Sequence, residues 1–315
     1  MRSSLCENLP STFRGRAFLA AILISLSPAA AFGQNAAPAP RASLLAADRA
    51  ASAAVLQQGL AAGLGSVLSD GAVLLYEGAP VTAGKEAVQR LLLAQPVLRG
   101  LKLQWLPIVI ALSSDGLMGM TSGPTVIARR GQSIDSVLQY GHYISVWRRR
   151  AADAPWRITA LLENGLADPD SVVLGFPTGS DQLSVMGGRP FADADIAFAK
   201  LAADSGAPIA FGTFAALDAT TPPGTGMVTV GAPAIRARMQ AIGAGNSVWR
   251  WHPVHAGSSA SGDLGFTVGE SAIAESGEPN APTSHGKYLT IWRRQQDGSI
   301  RYILDSGNSR PVEGR

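Results

Sequence analysis

A carboxylate in apolar surroundings can serve as a base or hold a polar ligand group, because desolvation moves its pKa towards neutrality. The best placed is Asp305, which ends the apolar run Arg301-Tyr-Ile-Leu-Asp305. Its blander role is a strand-end acid that caps Gly307 or pairs with Arg301. Asp263, in Ser261-Gly-Asp-Leu-Gly265, is either a ligand contact or a turn carboxylate that meets backbone N–H groups. The histidines are His142, His252, His255 and His285. His252 follows Trp251 and can line a pocket mouth, but His252 and His255 are three apart in a strand-like stretch and face opposite ways. No HExxH and no histidine–carboxylate spacing suited to a metal occurs, so neither metal nor cofactor is expected. Trp105, Tyr143, Trp251 and Tyr288 can stack on a ligand or fill a core. Arg148-Arg-Arg150 and Arg293-Arg294 read as a solvated rim, or as contacts to an anionic group. Gly243-Ala-Gly245 lacks the third glycine of a dinucleotide loop, and neither a nucleophile elbow nor a phosphate loop is present.

The elements that position these residues are written twice. Thr82-Ala-Gly84 recurs as Thr229-Val-Gly231, Trp105-Leu-Pro107 as Trp251-His-Pro253, and Gly119-Met-Thr121-Ser-Gly123 as Gly265-Phe-Thr267-Val-Gly269. Gly141-His-Tyr143-Ile-Ser-Val-Trp147 recurs as Gly286-Lys-Tyr288-Leu-Thr-Ile-Trp292, and Arg157 answers Arg301. The landmark order never changes, which points to an internal duplication with copy one at 44–170 and copy two at 190–310. Copy one carries Leu106 where copy two has His252, Leu161 where it has Asp305, and, on this reading, Leu117 where it has Asp263. Each copy opens with Ala-rich helices over 44–68 and 192–217, broken by turns at Gly59–Gly65 and at Ser205-Gly-Ala-Pro208. Short hairpins follow near 71–82 and 220–230, the second turning through residues 222–226, then a third helix ending at Gln95 or Ile242. Four strands complete each copy, near 101–112, 116–128, 137–149 and 156–163, and near 246–256, 262–274, 285–294 and 299–305. Helices first and an antiparallel sheet after them is α+β order. The strand Lys287-Tyr-Leu-Thr-Ile-Trp292 is apolar on both faces, so the helices are expected to cover one face and the other copy's sheet the second, as an internal pseudo-dimer.

Of 315 residues, 46% are hydrophobic and 16% charged, which excludes disorder for most of the chain. Arg14 and Arg16 precede the apolar run 17–26, Pro28 and a small-residue stretch ending at Gly33, the grammar of a secretory signal over 1–33. An Ala/Pro linker is expected over 34–43. Cys6, the single cysteine, falls within the signal, so the exported chain would hold no thiol chemistry. The net charge of +3 is mostly in the signal, and the nearly neutral remainder argues against nucleic acid. No later stretch has the ~20 apolar residues of a membrane span. A periplasmic or secreted location is expected.

Four segments of copy two together resemble the SnoaL-like superfamily, which includes nuclear transport factor 2, ketosteroid isomerase and scytalone dehydratase. They are Ala202-Ala-Asp-Ser-Gly206 leading to Ala210-Phe, Trp251-His-Pro253, Ser259 through Thr267, and Gly286 through Arg294 followed by Asp297-Gly and Asp305. Copy two is similar to bacterial stand-alone domains of unknown function in that group, and copy one shows the same scaffold in weaker form. The resemblance implies two cone-shaped domains, each a curved sheet around helices with an apolar pocket at its open end. It does not decide function, since relatives include both enzymes and binding proteins. Three expectations follow: a small apolar or amphipathic ligand in the copy-two cone; a cofactor-free isomerase, dehydratase or hydrolase with Asp305 as general base; or a structural or partner-binding protein with filled cones. Cavity volume in each copy discriminates among them.

Overall fold

The computed structural model describes residues 39–131, 137–165, 184–222, 228–278, 280 and 284–310. The expected signal, Cys6 and the turn at 223–226 lie outside the described residues. Helix α1 spans Pro40–Gln58 and starts with Pro40 in its first turn, where a missing N–H is harmless. It therefore takes in the last four residues of the expected linker. Gly59, at φ 87°, breaks the chain into α2, Leu60–Gly65. Then come β1 (Leu68–Tyr76), β2 (Thr82–Ala83), α3 (Lys85–Ala94), α4 (Pro96–Arg99), β3 (Leu101–Trp105), β4 (Val109–Leu112), β5 (Met118–Arg129), β6 (Val137–Arg148) and β7 (Arg157–Asn164).

The remainder has the same grammar. After β8 (Ser184–Met186) come α5 (Arg189–Ser205), a break at Gly206 (φ 86°), and α6 (Ala207–Phe214). Next are β9 (Ala215–Thr221), β10 (Thr229–Val230), α7 (Ala232–Ala241), a 3-10 turn at 244–246, β11 (Ser247–Ser258), β12 (Leu264–Glu275), β13 (Ser284–Arg294) and β14 (Ile300–Ser309).

Helices and two mixed sheets make this an α+β chain. The first sheet runs β2-β1-β7-β6-β5-β3, with β4 also on β5, and the second β10-β9-β14-β13-β12-β11-β8. The expectation of a wholly antiparallel sheet is corrected: β1 lies parallel to β7, β9 to β14 and β8 to β11. An apolar run has no direction, so a returning last strand can dock either way along the first. Pro107 separates β3 from β4, whereas β11 stays continuous through Pro253 by a register shift between Pro253 and His255.

Pairing puts the halves in a common register. Tyr143 faces Glu163 as Tyr288 faces Gly307, and Ser145 faces Leu161 as Thr290 faces Asp305. One hydrophobic cluster gathers the interior of the first half: Leu44, Val55, Leu64, Leu91, Trp147 and their neighbours. A second spans both sheets, joining Leu75, Met120, Ile144 and Leu162 with Phe266, Leu289, Ile291 and Leu304. Polar groups stitch the same seam. Asp115 accepts from the Ser261 N–H at 2.9 Å and Asp263 from the Ser114 N–H at 2.8 Å, a reciprocal exchange of turn carboxylates. The Asn308 amide donates to the Leu75 carbonyl, at 3.0 Å, and to Glu163 and Asn164.

Candidate functional site

Each half carries a buried aspartate on its first helix, at the centre of an apolar stripe. On α1 the buried face is Leu44, Asp48, Ala51, Ser52 and Val55; on α5 it is Phe191, Ala192, Asp195, Phe198 and Ala202. Asp48 accepts from Trp105 Nε1 at 2.9 Å, Thr121 Oγ1 at 2.5 Å and Tyr143 OH at 3.1 Å. Asp195 accepts from Trp251 Nε1 and Tyr288 OH, both at 2.9 Å, and is also bonded by Thr267. Trp147 and Trp292 each donate to that threonine, at 2.9 and 2.8 Å. The network pins helix to sheet in both halves, because a desolvated carboxylate is tolerated only when donors saturate it. Burial outweighs those bonds and raises both acids, Asp195 to about 6. Sequence reasoning missed these two aspartates. Their signal was a single acid at i, i+4, i+7 spacing within an apolar helical face.

The halves differ in what they enclose. In the first, the space beside Trp105 and Tyr143 is only about 10 Å³, closed by Leu60, Leu64, Leu74 and Leu161. In the second, a cavity of about 340 Å³ opens among Phe198, Phe211, Trp249, Trp251, Tyr288 and Asp305. Register explains the opening: Ala207 stands where the first half has Leu60, Thr221 where it has Leu74, Asp305 for Leu161 and Gly307 for Glu163. Those four exchanges remove carbon atoms, while larger rings stand elsewhere on the wall: Phe198 for Ala51, Phe211 for Leu64 and Trp249 for Leu103.

Asp305 is partly accessible, through the cavity. Its carboxylate accepts from Thr290 Oγ1 at 2.5 Å. Desolvation lifts it to about 7, against the Thr290 bond and with help from the Asp195 charge. It does not pair with Arg301, which donates to the Thr213 carbonyl. Further along β13, His285 borders the cavity mouth; strand alternation puts its side chain, whose buried Nδ1 has no partner among the described residues, on the face opposite Tyr288 and Thr290. Phe198 forms the floor, edge-on to Trp251 at 4.6 Å and to Phe211 at 4.9 Å.

The residues singled out from sequence thus separate. Trp251, Tyr288 and Asp305 come together around the open cavity. Trp105 and Tyr143 sit in the equivalent place in the filled half. His252 is corrected: it is exposed and outside the cavity, because the strand alternates and Trp251 takes the inward position. Asp263 is corrected too. It lies in the seam, where burial opposes its charge but bonds from Ser261, Ser114 and Ser259 prevail and hold it below the usual range. Leu117 does hold its register position in the first half, while Asp115, at the position of Ser261 and held at about 2 in the same way, makes the reciprocal bond across the seam. Among the described residues no three His, Cys, Asp or Glu side chains gather as metal ligands, and no helix is long and apolar enough to cross a membrane.

No family model matches the sequence, and no curated protein matches it. Solved structures similar to the chain include an NTF2-like protein with a cystatin-like fold from Novosphingobium aromaticivorans, 16% identical over 41% of this chain and 84% of that one, with a TM-score of 0.33. A domain of unknown function with a cystatin-like fold from Nostoc punctiforme is 14% identical over 40% of this chain and 77% of that one, at 0.34. A ketosteroid isomerase-like protein from Erwinia carotovora atroseptica is 14% identical over 40% and 95%, at 0.32.

Proposed function

We propose that the chain is an exported, internally duplicated protein whose second half binds a small apolar or amphipathic molecule, while the first half serves as its packing partner. The observation that carries this reading is the 340 Å³ cavity, matched by about 10 Å³ at the equivalent place in the first half. Its volume falls within the ~300–1,000 Å³ of small-molecule sites, and its aromatic wall with few polar groups suits a mostly apolar ligand. Asp305, with its Thr290 hydrogen bond, is the group that would orient it. The shared strand order and the twin aspartate networks support duplication, and the charge–apolar–small pattern of residues 1–33 supports export to the periplasm or beyond.

A second reading is favoured by one observation, the Asp305 carboxyl near 7. An acid divided between its two forms at neutral pH can take and return a proton, which suits a cofactor-free isomerase, dehydratase or hydrolase. Both readings need the cavity to accept a ligand, and a neutral apolar fluorophore tests that. Titration of the mature protein with N-phenyl-1-naphthylamine, read by energy transfer from Trp249 and Trp251, should show one site per chain. Ser271→Trp, which fills the cavity, should abolish it, and affinity should rise below pH 7 as Asp305 becomes neutral. Saturable binding that Ser271→Trp leaves intact, or no binding at all, would remove the basis of both readings.

A further inference from the structure

A second cleft lies away from that cavity. It measures about 850 Å³ and is lined by Lys85, Arg148, Arg149, Arg150 and Arg157, with Asp70 as the one carboxylate and Ser259 and Ala260 of the second half on its wall. Arg149 has structural work there: its Nε donates to the Gly116 carbonyl at 2.9 Å, Nη1 to Ala152 at 2.5 Å, and its guanidinium lies 4.6 Å over Trp156. Arg148 donates to the Ser258 carbonyl and Arg157 to the Ser66 carbonyl. These acceptors are neutral. Among the described residues no carboxylate forms an ion pair with any of the five cations.

The second half shows what a neutralised version looks like. Arg293 occupies the register position of Arg148 and pairs with Asp218 at 2.5 Å. Gly71 stands where the second half has Asp218, Lys85 where it has Ala232, and Arg150 where it has Gln295. The first half therefore lacks that carboxylate, has Asp70 one position away where the second half has Leu217, and carries two further cations at one place, in a chain otherwise near charge balance. A concave wall with one sign of charge concentrates counter-ions, and guanidinium groups match oxyanions with two parallel bonds.

We propose that this cleft is a binding site for a phosphate-bearing anion, with Lys85, Arg148, Arg150 and Arg157 as its contacts. Partial burial of Arg148 disfavours its charge, which the nearby Asp115 carboxylate offsets only in part, and this adds to the attraction. Leu68, Leu117 and Pro155 give the cleft an apolar wall beside the charges, so the source is either a free phosphoester or a lipid headgroup. The sharpest test restores the missing carboxylate. A side chain at Gly71 meets open space, with no atom within 4 Å, so Gly71→Asp should fold normally and neutralise Arg148 as Asp218 neutralises Arg293.

Calorimetric titration of the mature chain with inorganic pyrophosphate should show binding that weakens with salt. Gly71→Asp and the exposed Arg150→Glu should each weaken it by roughly tenfold or more, while Asp218→Ala should leave it unchanged. Co-sedimentation with phosphatidylglycerol but not phosphatidylcholine vesicles, lost in Gly71→Asp, would assign the anion to a lipid headgroup; binding of pyrophosphate alone would assign it to a soluble ligand. Failure to bind either probe, or binding unaffected by both Gly71→Asp and Arg150→Glu, would overturn the proposal.

Discussion

Asp48→Ala should destabilise the protein by roughly 3–5 kcal/mol, among the largest losses any single substitution here would cause. The side chain contributes no apolar packing of note, yet its removal strands three donors: the Trp105 indole N–H, the Thr121 hydroxyl and the Tyr143 hydroxyl. None can turn to water, because Asp48 is 0% exposed and the adjoining space is only about 10 Å³. Asp195→Ala removes the same network from the second half, but Trp251 and Tyr288 border the open cavity, where water can replace the carboxylate. Its loss should therefore be smaller, roughly 1–3 kcal/mol. Denaturant melts of the two variants check the order. Equal losses, or a loss below about 1 kcal/mol for Asp48→Ala, would mean that the networks do not hold helix to sheet.

The second large effect has the opposite sign. Asp305→Leu places in the second half the residue that the first half carries as Leu161, and it should raise stability by roughly 2–4 kcal/mol at pH 8. Asp305 has its folded pKa raised to about 7 from an ordinary 3.8. The folded state thus holds this proton to higher pH than the unfolded chain does. The resulting stability is complete below pH 4, declines as pH rises from 4 to 7, and is gone above 7. The gain from Asp305→Leu should follow that curve in reverse, full at pH 8 and nearly absent below pH 4. His142, depressed to about 4 by burial, and Lys287, depressed to about 7, titrate in both proteins and drop out of the difference. A gain that does not vary with pH would place the carboxyl in water. Keeping a destabilising acid beside an open cavity is the pattern of a site retained for function.

Much of this arrangement was legible in the residues. The Gly206 break, the doubled order of elements and the register of Asp305 against Leu161 follow from spacing, because turns and side-chain alternation are local properties, whereas the turn expected over Gly59–Gly65 narrows to Gly59 and the rest is α2. Strand direction was not legible, since β1 and β14 read the same either way. Asp48 and Asp195 escaped notice because an acid in an Ala-rich helix looks like a surface residue until the whole stripe of Leu44, Ala51 and Val55 is drawn. Asp115 was hidden as the partner of Asp263 because the two acids sit two positions apart in turns of equal length, one before and one after the shared glycine. By residue type Trp105 and Trp251 suit a core or a ligand contact; they are donors to a buried carboxylate, a role that only distances reveal. The open second half was foreshadowed by Ala207 for Leu60 and Gly307 for Glu163, but volume depends on how every neighbour collapses.

Ligand binding in the second half requires that Asp305 face a cavity able to take an apolar molecule. Carbon-13 NMR titration of its carboxyl, assigned by the signal that Asp305→Asn removes, tests this most directly. A midpoint near 7 that moves upward when N-phenyl-1-naphthylamine fills the cavity is the predicted result, since the ligand displaces water from the carboxyl. A midpoint near 4 that the fluorophore leaves in place would contradict it.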